Sequence, residues 1–118
     1  AINAGALVYA YHGLSFADGQ PITLFESLFP LDRLPEIPQA LAEHLSVTEA
    51  LRIVGVADYT RKSTRLTAVL ANATQALHLQ LREGDPLLRS SSVNVDAADV
   101  PVEYGRTFFA GDRVTLTL

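Results

Sequence analysis

Apolar and polar residues alternate at two-residue spacing through several stretches of the chain, and helical spacing replaces that pattern in the middle. Residues 6–16 are rich in Val, Tyr and Leu and end at Ala17-Asp18-Gly19-Gln20, a strong turn signal. Residues 21–29 continue as a second strand, so the chain opens with a hairpin. Pro30, Pro35 and Pro38 then interrupt regular structure. Residues 38–45 have helical spacing, and residues 46–54 have it more clearly. Ser46 stands at an N-cap with Glu49 three residues on, Gly55 marks the stop, and Val47, Leu51 and Val54 share a face suited to covering a sheet. Residues 56–70 form the longest predicted strand, being β-branched and aromatic throughout. Asn72 caps a short helix over 73–79, residues 81–86 turn, residues 87–95 form a strand, and residues 96–99 lead into a closing hairpin. That hairpin pairs the strand beginning at Val100 with Val114, Leu116 and Leu118 across a Gly111-Asp112 turn. The predicted order is β-β-α-α-β-α-β-β-β. Strands joined mostly by short turns imply an α+β fold, a mostly antiparallel sheet with helices packed on one face.

Composition narrows the function. At 118 residues the chain is one domain with a core of its own, and 48% hydrophobic against 19% charged residues excludes disorder. With 9 Lys and Arg against 13 Asp and Glu, the net charge of -4 gives no electrostatic reason for this chain to hold nucleic acid. The absence of cysteine excludes disulfides and thiolate metal sites, and His12, His44 and His78 lack metal-ligand spacing. No cofactor is expected. The apolar start lacks a basic leader and is too short to span a membrane, so a cytoplasmic location is the expectation.

No nucleophile elbow, phosphate loop, dinucleotide fingerprint or zinc signature occurs. What remains is a binding constellation. Arg61, Ser63 and Arg65 alternate to one face of the long strand and Lys62 and Thr64 to the other. Two guanidiniums with a hydroxyl suit a planar anion, or they form a solvated face with cross-strand salt bridges to acids such as Glu103. Glu103, Tyr104 and Arg106 fall within four residues of an otherwise apolar strand and need partners there. Glu26 is the only charge in the second strand, facing either a ligand or solvent. Ser90, Ser91 and Ser92 line a pocket or mark an exposed edge. The candidate effector-binding residues are Glu26, Arg61, Ser63, Arg65, Glu103 and Tyr104, with none assigned to catalysis or metal.

The ordered pieces D-G-x-P-I (Asp18 to Ile22), Glu26 before Pro30, Gly55-Val56, R-x-S-T-R-L-T-A (Arg61 to Ala68), the P-L-L region ending at Leu88, and P-V-E-Y followed by G-D-R (Pro101 to Arg113) resemble the UTRA domain. That is the effector-binding domain of HutC-type regulators in the GntR superfamily. The resemblance covers nearly the whole chain and is closest to phosphonate-metabolism regulators. It implies a chorismate-lyase-like fold with a ligand cleft, homodimerisation, and a winged helix-turn-helix domain N-terminal to Ala1 that would make the DNA contacts. It places Glu103 and Glu26 at ligand-facing acids and Arg61, Ser63 and Arg65 on the strand bordering the cleft. Gly13 and Ser15 stand where sugar-phosphate-sensing members carry an R-x-R pair, and a further arginine is replaced within Ser90 to Ser92. Ala98-Asp99 replaces the usual Asp-Gly before P-V-E-Y. The implied function is a sensor of a phosphonate or other small anion, not an enzyme; a lyase on the same fold is the alternative.

Overall fold

The computed structural model describes residues 7–44 and 46–117. Five strands and three helices follow one another: β1 (Val8–Ala17), β2 (Gln20–Pro30), α1 (Ile37–Glu43), α2 (Val47–Ile53), β3 (Tyr59–Leu70), α3 (Ala73–Leu79), β4 (Pro86–Asp96) and β5 (Pro101–Ala110). The strands form one antiparallel sheet in the order β1-β2-β5-β4-β3. The α+β class is as expected.

The local chemistry explains the joints. Asp18 and Gly19 both have positive φ, 51° and 77°, the conformation a two-residue hairpin turn demands. At the β4–β5 turn, Asp99 takes the left-handed conformation with φ 65°. The Asp96 carboxylate accepts the Ala98 and Val100 amides at 2.9 and 3.0 Å, satisfying donors that the turn leaves free. Arg33 pairs with the same carboxylate. The Ser46 side chain accepts the Glu49 amide, as the sequence predicts, and α3 carries a complete capping box between Asn72 and Gln75.

The closing hairpin is not formed. Residues 111–113 turn, and residues 114–117 have no strand structure; Leu118 lies outside the described residues. The reason is topological. β5 lies between β2 and β4, so both of its hydrogen-bonding edges are taken and no edge remains for a strand returning from Gly111-Asp112. Arg113 instead turns inward to backbone carbonyls, as described below. The earlier boundaries of β1 and α1 included Ala6 and Leu45, which also lie outside the described residues.

The described chain resolves into two compact units, and each of the five strands contributes to both. The first holds residues 7–11, Ser27–Thr64 and Ser92–Tyr104. Its core is Phe29, Leu34, Ile37, Ala40, Leu41, Ala50, Leu51, Val56 and Val102, with Val47 and Val54 packed against it. The apolar faces of α1 and α2 are buried there, which stabilises two seven-residue helices too short to persist alone. The second holds His12–Glu26, Arg65–Ser91 and residues 105–117. Here Ala76 and Leu79 of α3 pack with Ala71 and Leu87, and Leu14, Leu24, Val69, Leu81 and Phe108 surround them.

Candidate functional site

In the first unit, polar side chains from four adjacent strands join in one line. Ser27 Oγ on β2 donates to Glu103 Oε2 on β5 at 2.7 Å. Asn94 Nδ2 on β4 donates to Glu103 Oε1 at 2.8 Å, and Arg61 Nε on β3 donates to Asn94 Oδ1 at 3.4 Å. Ser27 and Asn94 are buried, so these bonds are required to offset their desolvation. Only this orientation of the Asn94 amide satisfies both neighbours, because guanidinium donates and carboxylate accepts.

The charge balance of this line matters most. Glu103 accepts from two neutral donors and has no cation in an ion pair among the described residues. Arg61 has one long bond to a neutral amide and no carboxylate partner among the described residues. A cation and an anion are thus held apart by an amide, each with capacity left for a ligand. Ser63, on the same strand, is exposed and makes no side-chain hydrogen bond among the described residues. Tyr104 is half-buried and alternates to the opposite face from Glu103.

In the second unit, Glu26 is fully engaged. Arg106 Nη2 donates to its Oε1 at 2.8 Å, and His12 Nε2 lies 2.8 Å from its Oε2. The hydrogen bond from Arg106, then that from His12, holds the Glu26 carboxyl below its ordinary value, outweighing the opposing effect of burial. Glu26, His12 and Arg106 line a cavity of about 770 Å³ together with Leu14, Leu24, Phe108 and residues of α3. Arg65 is exposed and forms no ion pair among the described residues. Gly13 faces Phe25 so closely that a Cβ would sit 2.3 Å from Phe25 Cζ. An aromatic ring therefore occupies space beside the position where an arginine of the R-x-R pair would stand.

Sequence reasoning brought Arg61 and Glu103 together in principle and missed what connects them. Asn94 and Ser27 were not singled out; the only signal was a lone amide between Val93 and Val95 and a lone hydroxyl in Leu-Phe-Glu-Ser-Leu. Arg89 on β4 was also missed. Its Nε is buried and has no hydrogen-bond partner among the described residues.

Comparison with known proteins gives the family. A model of the UTRA domain matches residues 1–115. The chain belongs to the UTRA domain family. It is 38% identical over 105 residues to an uncharacterized HTH-type transcriptional regulator, RB1450, of Rhizobium meliloti (strain 1021), covering 89% of this chain and 43% of that protein. It is 27% identical over 116 residues to the HTH-type transcriptional repressor PhnF of Mycolicibacterium smegmatis, covering 98% of this chain and 47% of that protein. The crystal structure of the effector domain of PhnF from Mycobacterium smegmatis superposes with a TM-score of 0.87 at 26% identity, covering 98% of this chain and 71% of that one. The chain spans about half the length of the curated relatives it matches. Among the described residues, no helix is long and apolar enough to cross a membrane.

Proposed function

We propose that this UTRA domain is the effector-sensing and dimerisation part of a cytoplasmic HutC-type repressor, and that its effector is a small anion bearing a hydroxyl or amine. A phosphonate or phosphate ester is the favoured class. The observation that carries this is the line Ser27–Glu103–Asn94–Arg61, in which Arg61 and Glu103 lack charged partners. Arg61 supplies forked donors to the anion, with Ser63 on the same strand as a further donor. Glu103 accepts from the hydroxyl or amine. Glu26 is already ion-paired with Arg106, whereas Glu103 has no ion-pair partner among the described residues, so amine recognition falls to Glu103.

Operator contacts would belong to a helix-turn-helix domain outside this chain, consistent with its net charge of -4. Dimerisation is supported by β3, a sheet-edge strand exposed along most of its length. The effector would act by binding two dimer arrangements unequally. The names of the relatives as transcriptional regulators favour a sensor over a lyase.

The test is calorimetric titration of the chain with 2-aminoethylphosphonate, inorganic phosphate, a sugar phosphate and chorismate. Saturable binding of the phosphonate, reduced at least tenfold by Arg61→Ala and by Glu103→Gln with thermal stability preserved, is the expected result. Binding that neither substitution weakens defeats the site assignment, and turnover of chorismate defeats the sensor assignment.

A further inference from the structure

Asp18-Gly19, the tip of the β1–β2 hairpin, is the one place in the chain where Asp or Asn precedes Gly. That pair has a reactivity of its own. The backbone nitrogen that follows an aspartate can close on the side-chain carboxyl carbon. The closure is fastest before glycine, which has no Cβ to shield the nitrogen and whose backbone rotates most freely.

The structure leaves this step open at Asp18. Residues 15–20 are all exposed. The Asp18 carboxylate makes no hydrogen bond or ion pair among the described residues, and a Cβ at Gly19 would meet no atom within 4 Å. Asp18 is held at φ 51°, a left-handed conformation that is unfavourable for a residue with a Cβ. β1 is an edge strand whose sheet neighbour is β2 alone, so the hairpin tip opens locally without global unfolding.

Every other aspartate is engaged or followed by a bulky residue. Asp96 accepts the Ala98 and Val100 amides and pairs with Arg33. Asp85 accepts the Arg82 amide and precedes Pro86, which has no N–H to react. Asp99 pairs with Lys62 and precedes the β-branched Val100. Asp32, Asp58 and Asp112 precede Arg33, Tyr59 and Arg113.

We propose that Asp18 is a site of spontaneous covalent modification, at which the normal peptide link to Gly19 converts to an isoaspartyl link. The Gly19 nitrogen bonds to Asp18 Cγ, and the carboxyl oxygen leaves as water with the amide proton, closing a five-membered imide. Water then adds back. Opening at the Cγ–N bond restores Asp18; opening at the other C–N bond leaves the main chain running through Cβ and Cγ, with a free α-carboxylate. Atoms balance with no oxidant or co-reactant, and the mass is unchanged. The product carries one additional backbone atom in a two-residue loop whose length fixes the strand register. The modified hairpin therefore loses the cross-strand fit that sets His12 Nε2 2.8 Å from Glu26 Oε2.

The experiment is to hold the 118-residue chain at physiological temperature and mildly acid pH for several weeks, alongside a free peptide of residues 14–23. Proteolytic fragments are then read by electron-transfer mass spectrometry, which distinguishes the two links. Isoaspartate should accumulate at Asp18 at least tenfold more than at Asp58 or Asp112. Gly19→Asn, which keeps a residue tolerant of the left-handed conformation, should slow conversion at least tenfold with thermal stability preserved. Asp18→Asn should speed it, since the same ring closure then expels ammonia, and the product gains mass. Conversion of the peptide without conversion of the chain shows that the turn protects Asp18 and overturns the proposal. Equal rates with and without Gly19 overturn it too. In the purified isoaspartyl form, hydrogen exchange should show the His12 and Leu14 amides losing protection while Val93 and Tyr104 keep theirs; unchanged protection in β1 overturns the structural consequence.

Discussion

Arg113 Nη1 donates to the carbonyl oxygen of Leu79 at 2.6 Å, closing the C-terminal end of α3 with a side chain from the last turn of the chain. The same nitrogen donates to Pro21 O at 2.8 Å, and Nη2 donates to Gln80 O at 2.9 Å. The final carbonyls of a helix have no partner within it, and the helix dipole favours a cation there. The guanidinium supplies both needs and ties α3 to the start of β2. Arg113 is the arginine of the G-D-R sequence, whose expected role was only to follow a hairpin turn.

Arg113→Ala should destabilise the fold by about 2–4 kcal/mol, since charged hydrogen bonds contribute roughly 1.5–3 kcal/mol each and are not additive. Arg113→Lys should recover only part, because an ammonium lacks the fork that reaches several carbonyls at once. Urea denaturation measures the loss, and hydrogen exchange should show the Ala76 to Leu79 amides losing protection first. Uniform loss of protection across both units would contradict the local role given to Arg113.

Gly13→Ala should cost about 1–3 kcal/mol through overpacking, since the new methyl would meet Phe25 Cζ at 2.3 Å. The cost should shrink in a Phe25→Leu background, where the ring is gone. A double-mutant cycle measures this coupling, and strict additivity of the two substitutions would show that the ring moves aside freely.

These two cases show what the sequence could and could not reveal. The helix over Ala73–Leu79 was read with its true ends because the signals are local: Asn72 and Gln75 belong to one capping box. The Asp18-Gly19 turn was legible for the same reason. The closing hairpin was misread because alternation in Val114, Leu116 and Leu118 carries no information about strand order. Only the topology shows that β5 is interior to the sheet. The site divides along the same line. Arg61, Glu103 and Glu26 stood out as charges in strands, whereas the pairing of Glu26 with Arg106 spans 80 positions and depends on strand order. Asn94 was invisible because its role is to join Arg61 to Glu103 across two other strands.

Asn94→Ala should destabilise by about 1–3 kcal/mol, the usual cost of leaving a buried polar partner unsatisfied. Asn94→Asp tests the electrostatics of the line. It sets a second carboxylate where the amide donates to Glu103 at 2.8 Å, which raises the folded-state pKa of the acid pair above its unfolded value. A raised carboxyl pKa favours the protonated fold, so the variant should be closest to wild-type stability at acid pH and lose ground as pH rises through that pKa. Chemical denaturation of both proteins at pH 4 and pH 7 checks the sign; a deficit that is larger at pH 4 would contradict it.

The Glu26–Arg106–His12 group carries the opposite sign. Hydrogen bonding to Arg106, and next to His12, lowers the folded-state pKa of Glu26, so the folded protein holds this carboxylate charged at pH values where the unfolded chain has begun to protonate it. The stabilisation is therefore fully present above the unfolded value of about 4.3 and is lost as pH falls through the lowered folded value. Side-chain exposures of 26% for Glu26 and 44% for Arg106 allow solvent to screen the pair, which keeps its contribution near the roughly 0.2–1 kcal/mol of exposed ion pairs. Glu26→Gln should accordingly cost no more than about 1 kcal/mol at neutral pH, and the deficit should shrink toward zero below the lowered pKa. Arg106→Gln should return the Glu26 pKa toward the ordinary carboxylate value, which carboxyl NMR titration reads directly. Salt near 1 M should reduce the neutral-pH deficit of Glu26→Gln, because the screening length then falls to about 3 Å. A deficit that stays constant from pH 7 to pH 3 would mean that Glu26 contributes through packing and not through its charge.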